Sequence, residues 1–442
     1  MQPLISQPAG PLSGRCSVPG DKSISHRALM LGACGVGESV IEGLLEGEDV
    51  LATADALRSL GADIVRDDGV WRVRGRGVGA LAEPATVLDL GNSGTGARLL
   101  MGLVASHPFT SVFTGDASLR ERPMLRVMQP LERMGAQFWS RNGGRLPITV
   151  RGCADLLPIG YRLPVASAQV KSAILLAGLN TAGETSVIEP LASRDHTERL
   201  LRYFGADIEV ENLADGGRRI TLRGQPELSG RAVTVPADVS SAAFPLAAAC
   251  MIPGSSLRID GVGINPLRTG LIDTLKEMGA EIGTVEEREV AGEPVADLLI
   301  EMRPLKGIKV PKHRVPSMID EFPVLAAAAA CADGVTRMQG LAELRVKESN
   351  RLTAIAEGLS ACGVEVASGQ DWIEVTGCGG PPPGGGSVVA RFDHRIAMAF
   401  LALGAACKAP VIVDDVSAIA TSFPGFIPLM NRLGTRIKPI GN

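Results

Sequence analysis

Apolar positions along this chain fall into a pattern that repeats. An amphipathic stretch ending in glycine returns six times, as LRSLGADI, LERMGAQF, LRYFGADI, LKEMGAEI, LSACGVEV and MNRLGTRI, with its glycine at 61, 135, 205, 279, 363 and 434. Successive glycines lie 74, 70, 74, 84 and 71 residues apart. Apolar residues three and four apart predict a helix with one buried face, the glycine predicts its cap, and the alternation that follows predicts a strand. A second pattern keeps the same step. Ala/Leu-rich helices are predicted to begin near Ser23, Ser93, Ser167, Ser240, Asp320 and Asp393, each followed by a turn and a β-rich segment: ESVIEG, TSVFTG, TSVIEP, SSLRIDG, VTRMQG or PVIVDD. These helices are apolar on nearly every face and belong inside a domain. Each unit therefore reads helix, strand, helix, strand, with a further strand in most copies.

The two halves also match. LSGRCSVPGD at 12 to 21 resembles LSGRAVTVPAD at 228 to 238, and each ends in Val-Pro-x-Asp crossing into an apolar helix. An α/β architecture follows, with three units in a domain of about 21–236 and three in a second domain made of 1–20 and 237–442, completed by the N-terminal strand. The two crossings, near 19–21 and 236–238, form a hinge that is expected to be open without ligand. A ligand site between the domains, closing when occupied, is the natural expectation.

Composition narrows the chemistry. At 442 residues the chain exceeds one usual core. A hydrophobic fraction of 45% with 21% charged residues is that of a globular protein, and its apolar runs stop short of a bilayer span, so no membrane is expected. A net charge of -4 gives no basic field, and 10 Phe, 3 Trp and 2 Tyr leave few platforms for bases, so no nucleic acid partner is expected. The opening MQPLISQPAGPLSGR has neither a secretory nor a transit pattern, which suggests a cytoplasmic protein. The eight cysteines show no CxxC pairing and read as reduced packing residues, and the five histidines lack zinc-site spacing. No metal and no cofactor are implied.

Polar clusters fall at the starts of the buried helices: DKSISHR at 21, NSGTGAR at 92, ASAQVKS at 166, DVSSAA at 238, SMIDEF at 317 and FDHRIA at 392. A helix N-terminus offers unpaired N–H groups and the positive end of the dipole, which suit an anion. Capping alone explains Ser240 and can explain Asn92. It does not explain Lys22, Arg27, Arg98 or Arg395, since a cation in the first turn opposes the dipole unless an anion or carboxylate compensates. Neither GDKS nor SGTG matches a nucleotide-binding glycine loop. Arg120, Arg122 and Arg126, and the group Glu343, Arg345, Lys347, Glu348 and Arg351, occupy the same place in the repeat, where arginine forks suit phosphate and carboxylate.

GDKSISHRA, LGNSGTGARLL, RERPM, SAQVKSAILLAG, RDHTE, MIDEFPVLA, RVKESNRL and FDHRIAMAF, in that order, resemble the 5-enolpyruvylshikimate-3-phosphate synthase family, in its second sequence class. That resemblance implies two inverse α/β barrel domains, each of three βαβαββ units around buried helices. It implies an enzyme, a monomer, that joins the enolpyruvyl group of phosphoenolpyruvate to the 5-hydroxyl of shikimate 3-phosphate and releases phosphate. It implies Glu348 as proton donor to the methylene carbon, with Asp320 and Lys22 handling the hydroxyl proton. It implies phosphoenolpyruvate among Lys22, Gly94, Arg122, Gln169, Arg351 and Arg395. Shikimate 3-phosphate would be held by Lys22, Ser23, Arg27, Ser167, Ala168, Gln169, Arg194, Asp320 and Lys347.

Parts of the pattern differ. Ala168 and the run Thr421-Ser422-Phe423-Pro424 follow the second class rather than the first, and NPLR at 265–268 replaces a more usual NPTR. The second class includes bacterial enzymes tolerant of the herbicide glyphosate, some with Ala where this chain has Gly94, so its own response is open. Two rivals are considered. The enolpyruvyl transferase that acts on UDP-N-acetylglucosamine shares fold and one substrate, but its catalytic cysteine loop has no counterpart in RERPM. A non-catalytic anion-binding relative is expected to lose Glu348 or Asp320, and both are present.

Overall fold

The computed structural model describes residues 3–440. They fold as two compact units. The first spans Lys22–Val235 and takes in Glu289–Glu293; the second holds the chain up to Asp21, Pro236–Arg288 and everything from Pro294 onward.

The first unit has three inner and three outer helices. They are α1 (Lys22–Cys34), α2 (Glu48–Ser59), α3 (Gly94–Ala105), α4 (Leu125–Met134), α5 (Ala168–Gly178) and α6 (His196–Phe204). The second has α7 (Val239–Met251), α8 (Gly270–Glu277), a one-turn α9 (Val315–Met318), α10 (Phe322–Cys331), α11 (Arg351–Ala361), α12 (His394–Ala406) and α13 (Phe426–Leu433). The odd-numbered helices of the first unit and α7, α10 and α12 of the second are the Ala/Leu-rich set. Every residue of α7, α10 and α12 is buried, as their lack of a polar face requires. The close approach of α3 to α5 depends on Gly102, where a Cβ would stand 2.3 Å from the Ala173 carbonyl oxygen.

The outer helices end at the six glycines of the repeat, all with left-handed φ from 74° to 121°. This conformation lets the chain turn from helix to strand, and only glycine adopts it without a Cβ penalty.

Most inner helices lead into a four-stranded sheet whose edge strand pairs in parallel. In the first unit Leu88–Asp89 lies parallel to Thr110–Thr114, followed by Arg145–Arg151 and Gln137–Arg141. The third repeat is alike, with Gly160–Arg162, Glu184–Glu189, Arg218–Arg223 and Ile208–Asn212. In the first repeat the parallel partner of Val36–Glu42 comes from the far end of the unit, as Ala232–Thr234. Its sequence counterpart, Ser13–Cys16, plays the same part beside Ser256–Gly263 in the second unit. The two matching segments thus each supply the parallel edge strand of one sheet.

Two expectations need correction. The N-terminal segment supplies two strands to the second unit, not one. Besides Ser13–Cys16, Leu4–Gln7 sits antiparallel between Val411–Val413 and Arg436–Pro439. The sheet after α10 has three strands, Asp333–Gln339, Trp372–Cys378 and Glu365–Ser368, and its parallel edge is reduced to single bridges from Lys306 and Lys309. Among the described residues no helix is long and apolar enough to cross a membrane.

Candidate active site

In the first unit, α1, α3 and α5 carry no acidic residue in their first turns. Lys22 opens α1, and its ammonium lies 2.9 Å from Oδ2 of Asp49 in the first turn of α2. That carboxylate supplies the compensation a cation at a helix start needs. Arg27, one turn on, is 4% exposed. It donates through Nε to Thr197 Oγ1 at 2.6 Å, through Nη2 to Ser172 Oγ at 2.7 Å and through Nη1 to the Ser23 carbonyl at 2.8 Å. These bonds tie the start of α1 to α5 and α6.

Ser167 caps α5, its hydroxyl accepting from the Val170 N–H, and the Ala168 carbonyl accepts from Ser172 Oγ at 2.6 Å. Gln169 donates to Thr95 Oγ1 at 3.0 Å and so joins α5 to α3. Arg122 reaches the same end of α3, donating to Asn92 Oδ1 at 2.6 Å, to the Asn92 carbonyl at 3.3 Å and to Ser118 Oγ at 3.1 Å. Its Nε is buried with no hydrogen-bond partner among the described residues. A Cβ on Gly94 would stand 2.8 Å from Arg98 Nη1 and 3.1 Å from Arg122 Nη1. Arg194 is half-buried in the loop before α6. Lys22, Ser23, Arg27, Gly94, Arg122, Ser167, Ala168 and Gln169 therefore gather where three inner helices begin.

The second unit gathers the others around one guanidinium. Arg351 is the first residue of α11 and only 1% exposed. It donates to Asp393 at 2.8 and 3.3 Å, to Asp320 Oδ1 at 3.1 Å and to Glu348 Oε2 at 2.5 Å. Lys347 Nζ lies 3.2 Å from the same Asp320 oxygen. Arg395, in the first turn of α12, donates to the Asp320 carbonyl at 3.3 Å and lies 3.5 Å from Glu321. Asp393 caps α12 by accepting from the Arg395 N–H at 3.0 Å. Glu348, Asp320 and Lys347 are thus assembled by Arg351, whose three carboxylate partners leave no face of its fork toward solvent.

Two readings of the helix starts change. The cap of α7 is Asp238, accepting from the Ser240 N–H at 2.9 Å, while the Ser240 hydroxyl donates to Glu321. The cap of α3 is Ser93, and Asn92 instead holds Arg122. In both cases a charged partner takes the side chain that capping was expected to use.

Sequence similarity agrees with this geometry. The family described as EPSP synthase (3-phosphoshikimate 1-carboxyvinyltransferase) matches residues 6–430. The chain belongs to the EPSP synthase family. It is 64% identical over 438 residues to a 3-phosphoshikimate 1-carboxyvinyltransferase of Paramagnetospirillum magneticum, covering 99% of this chain and 98% of that one. A protein of the same name from Rhodospirillum rubrum is 60% identical over 444 residues, 99% of this chain and 98% of that one. A solved structure of EPSP synthase from Acinetobacter baumannii superposes with a TM-score of 0.88 at 45% identity, covering 99% of this chain and all of that one.

Within this EPSP synthase fold, several polar residues act as partners that the sequence did not assign. Asp49, Ser172, Thr197, Asn92, Asp393 and Glu321 hold the cations already described. Arg268, of the NPLR run, is 3% exposed and bridges Asp21 at 2.9 Å, Asp238 at 3.1 Å and Ser240 Oγ at 2.8 Å. One guanidinium thus pins the aspartates that end the two matching Val-Pro-x-Asp segments. Burial, reinforced by the Asp21 charge and only partly offset by Arg268 and Arg395, pushes Asp238 up to about 6. The signal for Asp21 and Asp238 was their repeat; for the others a lone Asp, Asn or Thr gives none.

Proposed function

We propose that this chain transfers the enolpyruvyl group of phosphoenolpyruvate to the 5-hydroxyl of shikimate 3-phosphate and releases phosphate, a step of aromatic amino-acid biosynthesis. The observation that carries this reading is the display of guanidinium and ammonium groups at inner-helix starts in a member of the EPSP synthase family. Both substrates are anions, and preorganised cations bind them and stabilise charge on the departing phosphate.

In this account Glu348 gives a proton to the methylene carbon of phosphoenolpyruvate, which makes C2 electrophilic. The 5-hydroxyl adds to C2 as its proton passes to Asp320, and the Lys22 ammonium stabilises the charge that develops on that oxygen. The tetrahedral adduct then returns a methyl proton to Glu348 as the C–O bond to phosphate breaks and the departing phosphate takes the proton held by Asp320, which forms the enol ether. Lys22, Arg122, Gln169, Arg351 and Arg395, with Gly94, serve phosphoenolpyruvate. Lys22, Ser23, Arg27, Ser167, Ala168, Gln169, Arg194, Asp320 and Lys347 serve shikimate 3-phosphate. The fixed Arg27 fork supports its part, since a guanidinium already held by Ser172 and Thr197 loses little freedom on binding.

Phosphate release with shikimate 3-phosphate as acceptor, and none with a UDP-amino sugar, is the expected result; the reverse would move the chain to the rival transferase. The reading also takes the protein as a cytoplasmic monomer, and sedimentation at working concentration checks the latter.

A further inference from the structure

Lys171, three residues into the Gln169 end of α5, has no exposed surface. Its Nζ lies 2.6 Å from Glu198 Oε1, 3.1 and 3.3 Å from the two oxygens of Glu189 and 3.4 Å from the Ser193 carbonyl. Glu189 ends the strand Glu184–Glu189 and also accepts from the Ser193 N–H at 3.2 Å and hydroxyl at 2.6 Å. Glu198, on α6, is 2% exposed, and its Oε2 is buried with no hydrogen-bond partner among the described residues.

The proposed chemistry gives these three groups no part, although enclosing three ionisable side chains is costly. Their sequence neighbours supply a reason. Ser172 follows Lys171 and Thr197 precedes Glu198; together they take two N–H groups of Arg27. Ser193, held twice by Glu189, precedes Arg194. The cluster therefore fixes α5, α6 and the loop between strand and α6 at the points that carry the shikimate 3-phosphate groups.

We propose that Lys171, Glu189 and Glu198 are positioning residues for shikimate 3-phosphate, holding Arg27 and Arg194 through their neighbours, with one proton kept on Glu198 so that the cluster is neutral. The proposal rests on the substrate reading above. Glu189 receives donors on both oxygens, as a carboxylate needs, whereas Glu198 receives Lys171 on one oxygen only. A charged oxygen enclosed without a donor is worse than a neutral acid group there. Burial pushes the Glu198 carboxyl up against the opposing pull of Lys171. The Lys171 ammonium is paired with the Glu189 carboxylate, 3.1 Å away, and also contacts Oε1 of Glu198 at 2.6 Å.

The test is calorimetric titration with shikimate 3-phosphate, beside steady-state KM values. Glu189→Gln should weaken that ligand by about tenfold or more, with KM for phosphoenolpyruvate changed by less than about threefold. Glu198→Gln, a neutral copy of the protonated acid, should stay within about twofold of the unaltered protein in both. The double variant Lys171→Met with Glu189→Gln leaves no charge unpaired, so it should unfold near the unaltered midpoint while still binding shikimate 3-phosphate weakly. Full-strength binding by the double variant overturns the positioning role. Glu198→Gln as damaging as Glu189→Gln overturns the placement of the proton. If the unaltered protein itself fails to bind shikimate 3-phosphate, the substrate reading falls and this inference with it, an outcome separate from unchanged variants.

Discussion

Replacing Arg351 with Met should unfold the second unit far more readily than a substitution of similar size elsewhere. The guanidinium is 1% exposed and is shared by Asp393, at 0%, Asp320 and Glu348. Removing one partner of a buried ion pair costs about 3–5 kcal/mol because the other charge is left uncompensated. Asp393 keeps two donors, the Arg395 N–H and the Ser349 hydroxyl, both at 3.0 Å. Asp320 keeps Lys347. The loss should therefore lie near the low end, about 3 kcal/mol, which is a large part of a usual folding free energy of about 5–15 kcal/mol. Asp393→Asn is the companion, since asparagine also caps a helix while removing the charge. Urea unfolding of the four proteins of the cycle, followed by circular dichroism and by tryptophan fluorescence, gives the coupling. A coupling of about 2 kcal/mol between Arg351 and Asp393 is expected for contacting buried groups. Arg351→Met within about 0.5 kcal/mol of the unaltered protein, the range of ordinary surface changes, would refute the hub.

Three further outcomes follow from the same contacts. Glu348→Gln should lower turnover by about 10²–10⁴, the usual range for a lost proton donor, while leaving binding of both substrates nearly unchanged; turnover like the unaltered enzyme removes Glu348 from the mechanism. Gly94→Ala places a Cβ 3.1 Å from Arg122 Nη1 and 2.8 Å from Arg98 Nη1, so those tips must move. KM for phosphoenolpyruvate should rise on the order of tenfold with a smaller change in KM for shikimate 3-phosphate; equal rises would point to general damage. Asp238 is raised from 3.8 to about 6 by burial and the Asp21 charge, so between those values the folded chain holds more protons than the unfolded one. Its contribution to stability is therefore fully present below 3.8 and lost as pH rises through about 6. The difference in thermal midpoint between the unaltered protein and Asp238→Asn should shift in favour of the variant from pH 4 to pH 7; a constant difference contradicts this.

The repeat made much of the fold readable, because helix periodicity and a capping glycine are local signals. All six pattern glycines are left-handed, and the Ala/Leu runs are the inner helices. What escaped is pairing between distant segments. Leu4–Gln7 has four residues and no turn of its own, and only Val411–Val413 and Arg436–Pro439 make it a strand. The site was legible as a set of cations at helix starts. Their partners were not, since Thr197 beside Arg27 or Asp393 around Arg351 is a choice made by tertiary packing. Ser240 and Asn92 show the cost of reading a helix start alone: each is drawn from capping by a charged neighbour.

The proposed function is an enolpyruvyl transfer to shikimate 3-phosphate. Phosphate release from phosphoenolpyruvate, followed with shikimate 3-phosphate as acceptor, tests it most directly. Release that requires both substrates and gives one enol ether per phosphate is the predicted result. No release with shikimate 3-phosphate, under conditions where the chain is folded, would contradict the account.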